Sequence, residues 1–262
     1  MTGLGRSLEA VVTNREPILR ALVRGPLNKP ELTEAVDSSR STVDRAIREL
    51  VDAGLVGRAD GRYEATLAGR SALDAVEAFH DRMRGVESAA GVLSHLGPDA
   101  PIDPDFLVGA DVYVATPEMP DGVVQRLFDS VEAATHLRGI APVALSGHLN
   151  GFYEAARAND ARVEMLIDAG VLDSLVATAS TRETLLAQLR DDRVTILRGE
   201  IPFPFGLWLT ESEAGVMIYS DTGVRGVIVN DTDDACAWAE TWFERLSAEA
   251  RTLTASGVAA DD

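Results

Sequence analysis

Apolar residues recur at helical spacing in three consecutive stretches near the N-terminus, each closed by a turn signal. Ile18, Leu19, Leu22 and Val23 make the first stripe, beginning near Glu16 and stopping at Gly25-Pro26. Asn28, with Glu31 three residues on, reads as a capping-box start, and Leu32, Ala35 and Val36 face that helix inward. Asp37-Ser38 turns the chain into a third helix, capped by Ser39, with Val43, Ile47 and Leu50 at i, i+4 and i+7. Gly54 ends it as a C′ glycine does. Two strand-like runs, 55–58 and 63–65, then flank Asp60-Gly61, a strong hairpin signal. Helix, helix, helix, hairpin is the order of a winged helix-turn-helix, which places a DNA-binding domain over 1–66.

The residues left off the apolar stripe of the third helix are the ones with recognition chemistry. Arg40, Ser41 and Thr42 form its first turn, a short polar tip suited to a groove. With Arg45 they are expected to read bases, since arginine can grip guanine with two hydrogen bonds. Arg48 lies two turns along and suits a phosphate. Arg58, Gly61 and Arg62 on the wing are expected at the backbone or minor groove, and Lys29 at a further phosphate. The competing reading is a winged helix used for protein contact alone.

From 67 to 97 the pattern stays helical. Val76, Met83 and Ala90 recur every seven residues, and Phe79, Val86 and Leu93 repeat three positions later, giving three heptads of an a/d seam. Two readings stay open, a linker helix packed on its own second domain or a helix that pairs two copies into a homodimer. The proline- and glycine-containing stretch 97–101 breaks the helix and marks a boundary. Beyond it, strand-like runs at 111–115, 137–145, 162–167 and 193–197 alternate with helical patterns at 122–134, 148–158 and 181–189. Three more runs, at 206–210, 215–220 and 225–229, are spaced like an antiparallel meander, and a helix over 233–252 follows. The expected fold class is therefore α+β to α/β, with an effector domain over 98–253 built on a mainly parallel sheet plus antiparallel strands. A disordered tail is expected over 254–262.

In open α/β sheets, ligands bind beyond the carboxyl ends of strands. Those ends offer Thr116 and Glu118, His148, and Arg198, the last running into Phe203, Phe205 and Trp208 with two prolines between. With Tyr219 and Arg138 these residues make a candidate small-molecule pocket, stiff apolar walls beside charged groups. The aromatics could equally be core, and the two arginines could pair with acids instead of clamping an anion.

Charge changes the picture. The chain is net −18, from 42 acids and 24 bases, and Lys29 is its single lysine. Residues 1–70 hold 11 bases and 10 acids, while the remainder holds 13 bases and 32 acids. An acid-rich, lysine-poor surface stays hydrated in concentrated salt and resembles proteins of haloarchaea; the N-terminal part has been spared acidification, as a surface facing phosphates requires. The four histidines, His80, His95, His136 and His148, are scattered without metal-ligand spacing. Ser146-Gly147-His148 lacks the flanks of a nucleophile elbow, so no catalytic site, metal or cofactor is expected. The lone Cys236 allows no disulfide within the chain. No apolar run is long enough to span a bilayer and no secretory segment is present, so the expected location is the cytoplasm.

The winged helix, followed by LRGIAPVAL at 137–145, FPFGLWL at 203–209 and VMIYSD at 216–221, resembles archaeal transcriptional regulators with a methanogenesis-regulator-type effector domain. The resemblance implies a sequence-specific, dimeric DNA-binding regulator with an effector domain of uncharacterised or metabolite-sensing role; an alternative is a C-terminal domain that serves only dimerisation. It assigns no ligand residue.

Overall fold

The computed structural model describes residues 7–116, 118–119, 122–145, 147–220 and 223–259. The chain divides into two compact units, Met1–Met83 and Arg84–Asp262.

The first unit contains α1 (Leu8–Arg24), α2 (Lys29–Ala35), α3 (Arg40–Asp52), the hairpin β1 (Val56–Ala59) and β2 (Arg62–Ala65), and the start of α4 (Leu67–Leu93). Helix α1 begins well before Glu16. The Ser7 hydroxyl accepts the Ala10 amide at 3.2 Å, and buried Val11 and Val12 extend the stripe of Ile18, Leu19 and Leu22 through Pro17. A proline that usually marks a first turn here sits mid-helix. The remaining signals act as expected. Asn28 and Glu31 cap α2 reciprocally, at 3.0 and 2.8 Å. Ser39 accepts the Thr42 amide at 3.2 Å. Asp60 and Gly61 both take positive φ, 51° and 77°, as a type I′ turn requires. Leu27 adds an antiparallel bridge to Tyr63, which ties the wing to the connection before α2. Gly69 closes the unit, because a methyl group there would meet the Leu55 carbonyl oxygen at 2.0 Å.

The second unit takes up the end of α4, then β3 (Asp111–Val114), α5 (Gly122–Ala133), β4 (His136–Ala141), α6 (Leu149–Ala158), β5 (Arg162–Asp168), α7 (Ala169–Ala177) and α8 (Ala179–Gln188). The strands β6 (Val194–Gly199), β7 (Phe205–Leu209), β8 (Ala214–Ser220) and β9 (Gly223–Asn230) follow, then α9 (Asp233–Ser247), β10 (Arg251–Thr252) and α10 (Ala255–Ala259). Among the described residues, eight strands form one mixed sheet in the order β10-β6-β5-β4-β7-β8-β9-β3.

The balance of pairing corrects the expected one. Only β4-β5 and β5-β6 are parallel, whereas β4-β7, β7-β8, β8-β9, β9-β3 and β10-β6 are antiparallel. Strand β3 leaves for the far edge, so the first strand–helix–strand alternation does not build a parallel neighbour. The strand expected over 137–145 ends at Ala141, and the helix expected over 233–252 ends at Ser247, its last residues forming edge strand β10 on β6. Helix α7 was not expected; it follows β5 directly, capped by Asp168, which accepts the Gly170 amide at 3.0 Å. The expected tail carries α10, whose Val258 is buried with Leu172, Leu185 and Ile196.

Each face of the sheet has its own core. On one, Phe203, Phe205, Leu207, Val216 and Ile218 pack with Ala235, Ala239 and Phe243 of α9 and with Phe106. On the other, Leu137, Val163, Trp208 and Met217 pack with Val123, Val124 and Val131 of α5 and Ala156 of α6. Buried Asn230 is satisfied, donating to the carbonyls of Phe106 and Val108 at 2.8 Å each and accepting the Thr232 amide at 2.8 Å. No described helix is long and apolar enough to cross a membrane.

Candidate nucleic-acid interface and inner cavity

In the first unit the amphipathic pattern of α3 fixes which side chains reach solvent. Val43, Ala46, Ile47 and Leu50 are buried, so Arg40, Ser41, Thr42, Arg45 and Arg48 lie on the exposed face. The Ser39 hydroxyl lies 2.9 Å from those of Ser41 and Thr42, so the tip is a cluster of three hydroxyls. Among the described residues, Arg40 and Arg48 make no ion pair. Arg45 is held loosely, its Nε donating to Glu49 at 3.3 Å, while Glu49 also accepts from Arg15 at 2.8 Å.

The other predicted contacts are already engaged. Lys29 reaches Asp44 of α3 at 2.6 Å, and that hydrogen bond raises its pKa. Arg62 donates to the Pro26 carbonyl and to Glu31, both at 2.8 Å, which pins β2 against the capping box of α2. The Asn28 amide, with Arg62 behind it, holds the Glu31 carboxyl below its ordinary range. Arg58 lies over the Tyr63 ring at 5.6 Å. Gly61 is exposed at the wing tip.

In the second unit the predicted pocket residues do not converge. Strand alternation in β7 sends Phe205 to the α9 side and Trp208 to the other; Phe203, in the bend before β7, stacks on Phe205 at 4.3 Å with Trp242 edge-on to it at 5.1 Å. Arg138 donates to Glu240 at 2.9 Å and covers Phe243, and Arg198 forks onto Asp173, whose carboxyl it holds below the ordinary range. His148 precedes α6 beside the stacked rings of Phe128 and Phe152. Thr116 accepts the Met119 amide at 3.2 Å in an exposed turn, and Glu118 is exposed. Ser146 and Pro117 lie outside the described residues.

Trp208 and Tyr219 do meet, in a place the motif did not indicate. Both line a cavity of about 160 Å³ between the sheet and helices α5, α6 and α8, with Leu137, Met165, Phe152 and Ala156 among its walls. Small residues open it. Gly206 has room only because it lacks a Cβ, which would stand 2.6 Å from the Tyr219 hydroxyl, and Gly215 accepts the Trp208 indole in the same way. Burial alone pushes the Tyr219 hydroxyl far up in pKa. The signal for this cavity was the glycine pattern at 139, 206 and 215, which acts only once the strands are in register. Among the described residues no group of His, Cys, Asp and Glu is placed to hold a metal ion.

Comparisons with known proteins divide along the chain in the same way. Residues 6–88 match the family model HVO_A0261 N-terminal domain, and residues 120–249 match the middle domain of the methanogenesis regulatory protein FilR1. The two models together match most of the length of the chain, each over one part of it. Among solved structures, the archaeal chromatin protein TrmBL2 aligns over 95% of this chain and 97% of its own, with 11% identity and a TM-score of 0.43. Nuc, a phospholipase D family member from Salmonella typhimurium, covers 55% of this chain and 99% of its own, at 10% identity and TM-score 0.45. A MarR family regulator from Silicibacter pomeroyi covers 37% of this chain and 67% of its own, at 24% identity and TM-score 0.27. No curated protein matches the chain.

Proposed function

We propose that the protein is a cytoplasmic, sequence-specific DNA-binding transcription regulator that works as a one-component sensor. The observation that carries the reading is the exposed face of α3, where Arg40 and Arg48 stand uncommitted beside a hydroxyl tip and next to a wing. Arg40, Ser41, Thr42 and Arg45 enter the major groove and read bases, and Arg48 meets a phosphate. Lys29 and Arg62, tied to Asp44 and Glu31, set the positions of α3 and the wing and lend charge to the phosphate contacts.

The homodimer in this reading is supported by α4. Phe79, Met83 and Val86 are 56%, 51% and 38% exposed at helical spacing, an apolar stripe facing solvent along the expected seam. Two copies joined there would present two heads to two half-sites. Phe79→Asp with Met83→Asp should convert a dimer into monomers in light scattering; an unchanged mass would place the dimer contact elsewhere.

The acid excess suits a halophilic archaeal cytoplasm, and it sets how the head binds. At molar salt the Debye length is about 3 Å, so long-range attraction is screened. Binding then rests on contact-range hydrogen bonds and shape more than on counterion release. The test is selection of a duplex from random DNA by the full chain, then its titration across KCl concentration. A shallow loss of affinity with salt is expected; a steep one refutes the contact-range mechanism, and no duplex selected at any salt refutes DNA binding in favour of a protein-contact winged helix.

A further inference from the structure

Four polar side chains line the cavity, Tyr153, Gln188, Trp208 and Tyr219, and no charged residue does so among the described residues. Two are committed elsewhere. Tyr153 donates to Asp191 at 3.2 Å, and the Gln188 amide lies 3.4 Å from the Leu149 carbonyl. The other two are not. Trp208 is 3% exposed and its Nε1 is buried without a hydrogen-bond partner among the described residues. The Tyr219 hydroxyl, over Gly206, makes no hydrogen bond among the described residues, and burial is the sole cause of its raised pKa. Gly206 and Trp208 are two apart on one face of β7, so both donors lie along the same stretch of wall. A buried donor left unmade is costly, and native structures rarely tolerate one without a reason.

We infer that this cavity is the effector site and that it takes a neutral molecule about one ring in size, with a hydrogen-bond acceptor gripped by Trp208 Nε1 and Tyr219 Oη. The inference deepens the sensor reading just given. Size supports it, since a dry apolar cavity of about 150 Å³ holds a benzene ring. Charge selects against alternatives, because an anion would be stripped of water here with no cation to receive it. The arginines expected to clamp an anion, Arg138 and Arg198, are outside the lining and tied to Glu240 and Asp173. Access is from the turn after β4. Val143, Ala144 and Leu175 belong both to the cavity and to an outer depression lined by Ser174, Thr178, Ser180 and Thr181.

Three probes of one shape separate these claims on the full chain: acetophenone, ethylbenzene and benzoate. Binding is read from the Trp208 indole N–H signal in proton–nitrogen spectra, assigned by its loss in Trp208→Phe. Acetophenone should bind and move that signal downfield. Ethylbenzene, lacking the acceptor, should bind about tenfold more weakly, the worth of one good hydrogen bond, and benzoate should not bind. Tyr219→Phe should lower acetophenone affinity several-fold and leave ethylbenzene unchanged, and Trp208→Phe should do the same by a probe-observed titration. Equal affinities for acetophenone and ethylbenzene, tighter benzoate, or no binding by any probe would each overturn the inference. Operator affinity measured beside each titration separates it from the sensor reading. Acetophenone binding with no change at DNA leaves the site standing and removes the sensor; a DNA response to benzoate alone keeps the sensor and removes this site.

Discussion

The two candidate sites keep their uncommitted polar groups in opposite places. In the first, the interior is apolar and Arg40 and Arg48 stand free on the outside of α3. In the second, Arg126, Arg138, Arg193 and Arg198 are bound to Glu213, Glu240, Asp191 and Asp173, while Trp208 Nε1 is buried with no partner among the described residues and shares a cavity with Tyr219. Exposed cations that have no carboxylate are available to a polyanion. Cations already paired are not, and the cavity of the second unit offers neutral hydrogen-bond donors with no charged residue in its lining among the described residues. On the proposed reading the same chain has a surface for phosphates and a cavity that rejects anions, and the partition follows the charge, near zero over residues 1–70 and strongly negative after them.

The sharpest way to break this contrast is to remove the two arginines assigned to bases. Arg40→Ala with Arg45→Ala should lower affinity for a selected duplex by about 100-fold, from one to three kcal/mol per base-reading arginine. Affinity for random duplex should fall far less, and acetophenone binding should not change. Fluorescence anisotropy on both duplexes checks it. An equal loss on selected and random DNA would make both arginines phosphate contacts and leave the reading of bases to Ser41 and Thr42.

The contrast also explains what could be read from the residues in order. The winged unit is local. Capping at Asn28 and Ser39, the Asp60-Gly61 turn and the α3 stripe each lie within a few residues of the backbone they shape, so their signals survive in one dimension. Its one departure, α1 running through Pro17, came from Val11 and Val12 packing across the unit. In the second unit the run 203–208 looked like one wall, but a strand turns successive side chains to opposite faces, and the cores on those faces are different. The cavity needs Gly139 of β4 opposite Trp208 of β7, and Trp208 opposite Gly215 of β8, pairings set by register across long sequence separations. Arg138 and Arg198 were legible as arginines in apolar surroundings; their partners Glu240 and Asp173, far along the chain, were not.

A second test concerns the paired cations. Asp191 accepts from Arg193 through both carboxylate oxygens and from Tyr153, and the guanidinium holds its carboxyl well below the ordinary range. A depressed folded pKa contributes stability that is present above the unfolded value, near 4, and is lost as pH falls through the folded one. Asp191→Asn should therefore destabilise the protein by about 1–3 kcal/mol at pH 7 in denaturant titrations. The gap between variant and parent should close as the pH drops below about 4. A gap that stays constant with pH would mean that the loss is one of packing. Tyr153 also exchanges a carboxylate acceptor for a weaker amide one, so a change in acetophenone affinity in this variant tests whether two donors or three address the ligand.

The smallest effect separates two roles for Arg62. Its guanidinium is held by the Pro26 carbonyl and Glu31, so it acts chiefly by fixing the wing against α2. Arg62→Ala should weaken every duplex alike by about threefold, within the range of one exposed ion pair. Glu31→Gln is the informative partner, because glutamine preserves the reciprocal cap on α2 while discharging the carboxylate beside Arg62. If Arg62 positions the wing, Glu31→Gln should leave DNA affinity level or slightly reduced. If instead Arg62 contacts phosphate and Glu31 competes for it, affinity should rise and its salt dependence should steepen, because a released cation neutralises one more phosphate. A rise would move the wing from scaffold to contact and enlarge the phosphate-facing surface of the first unit.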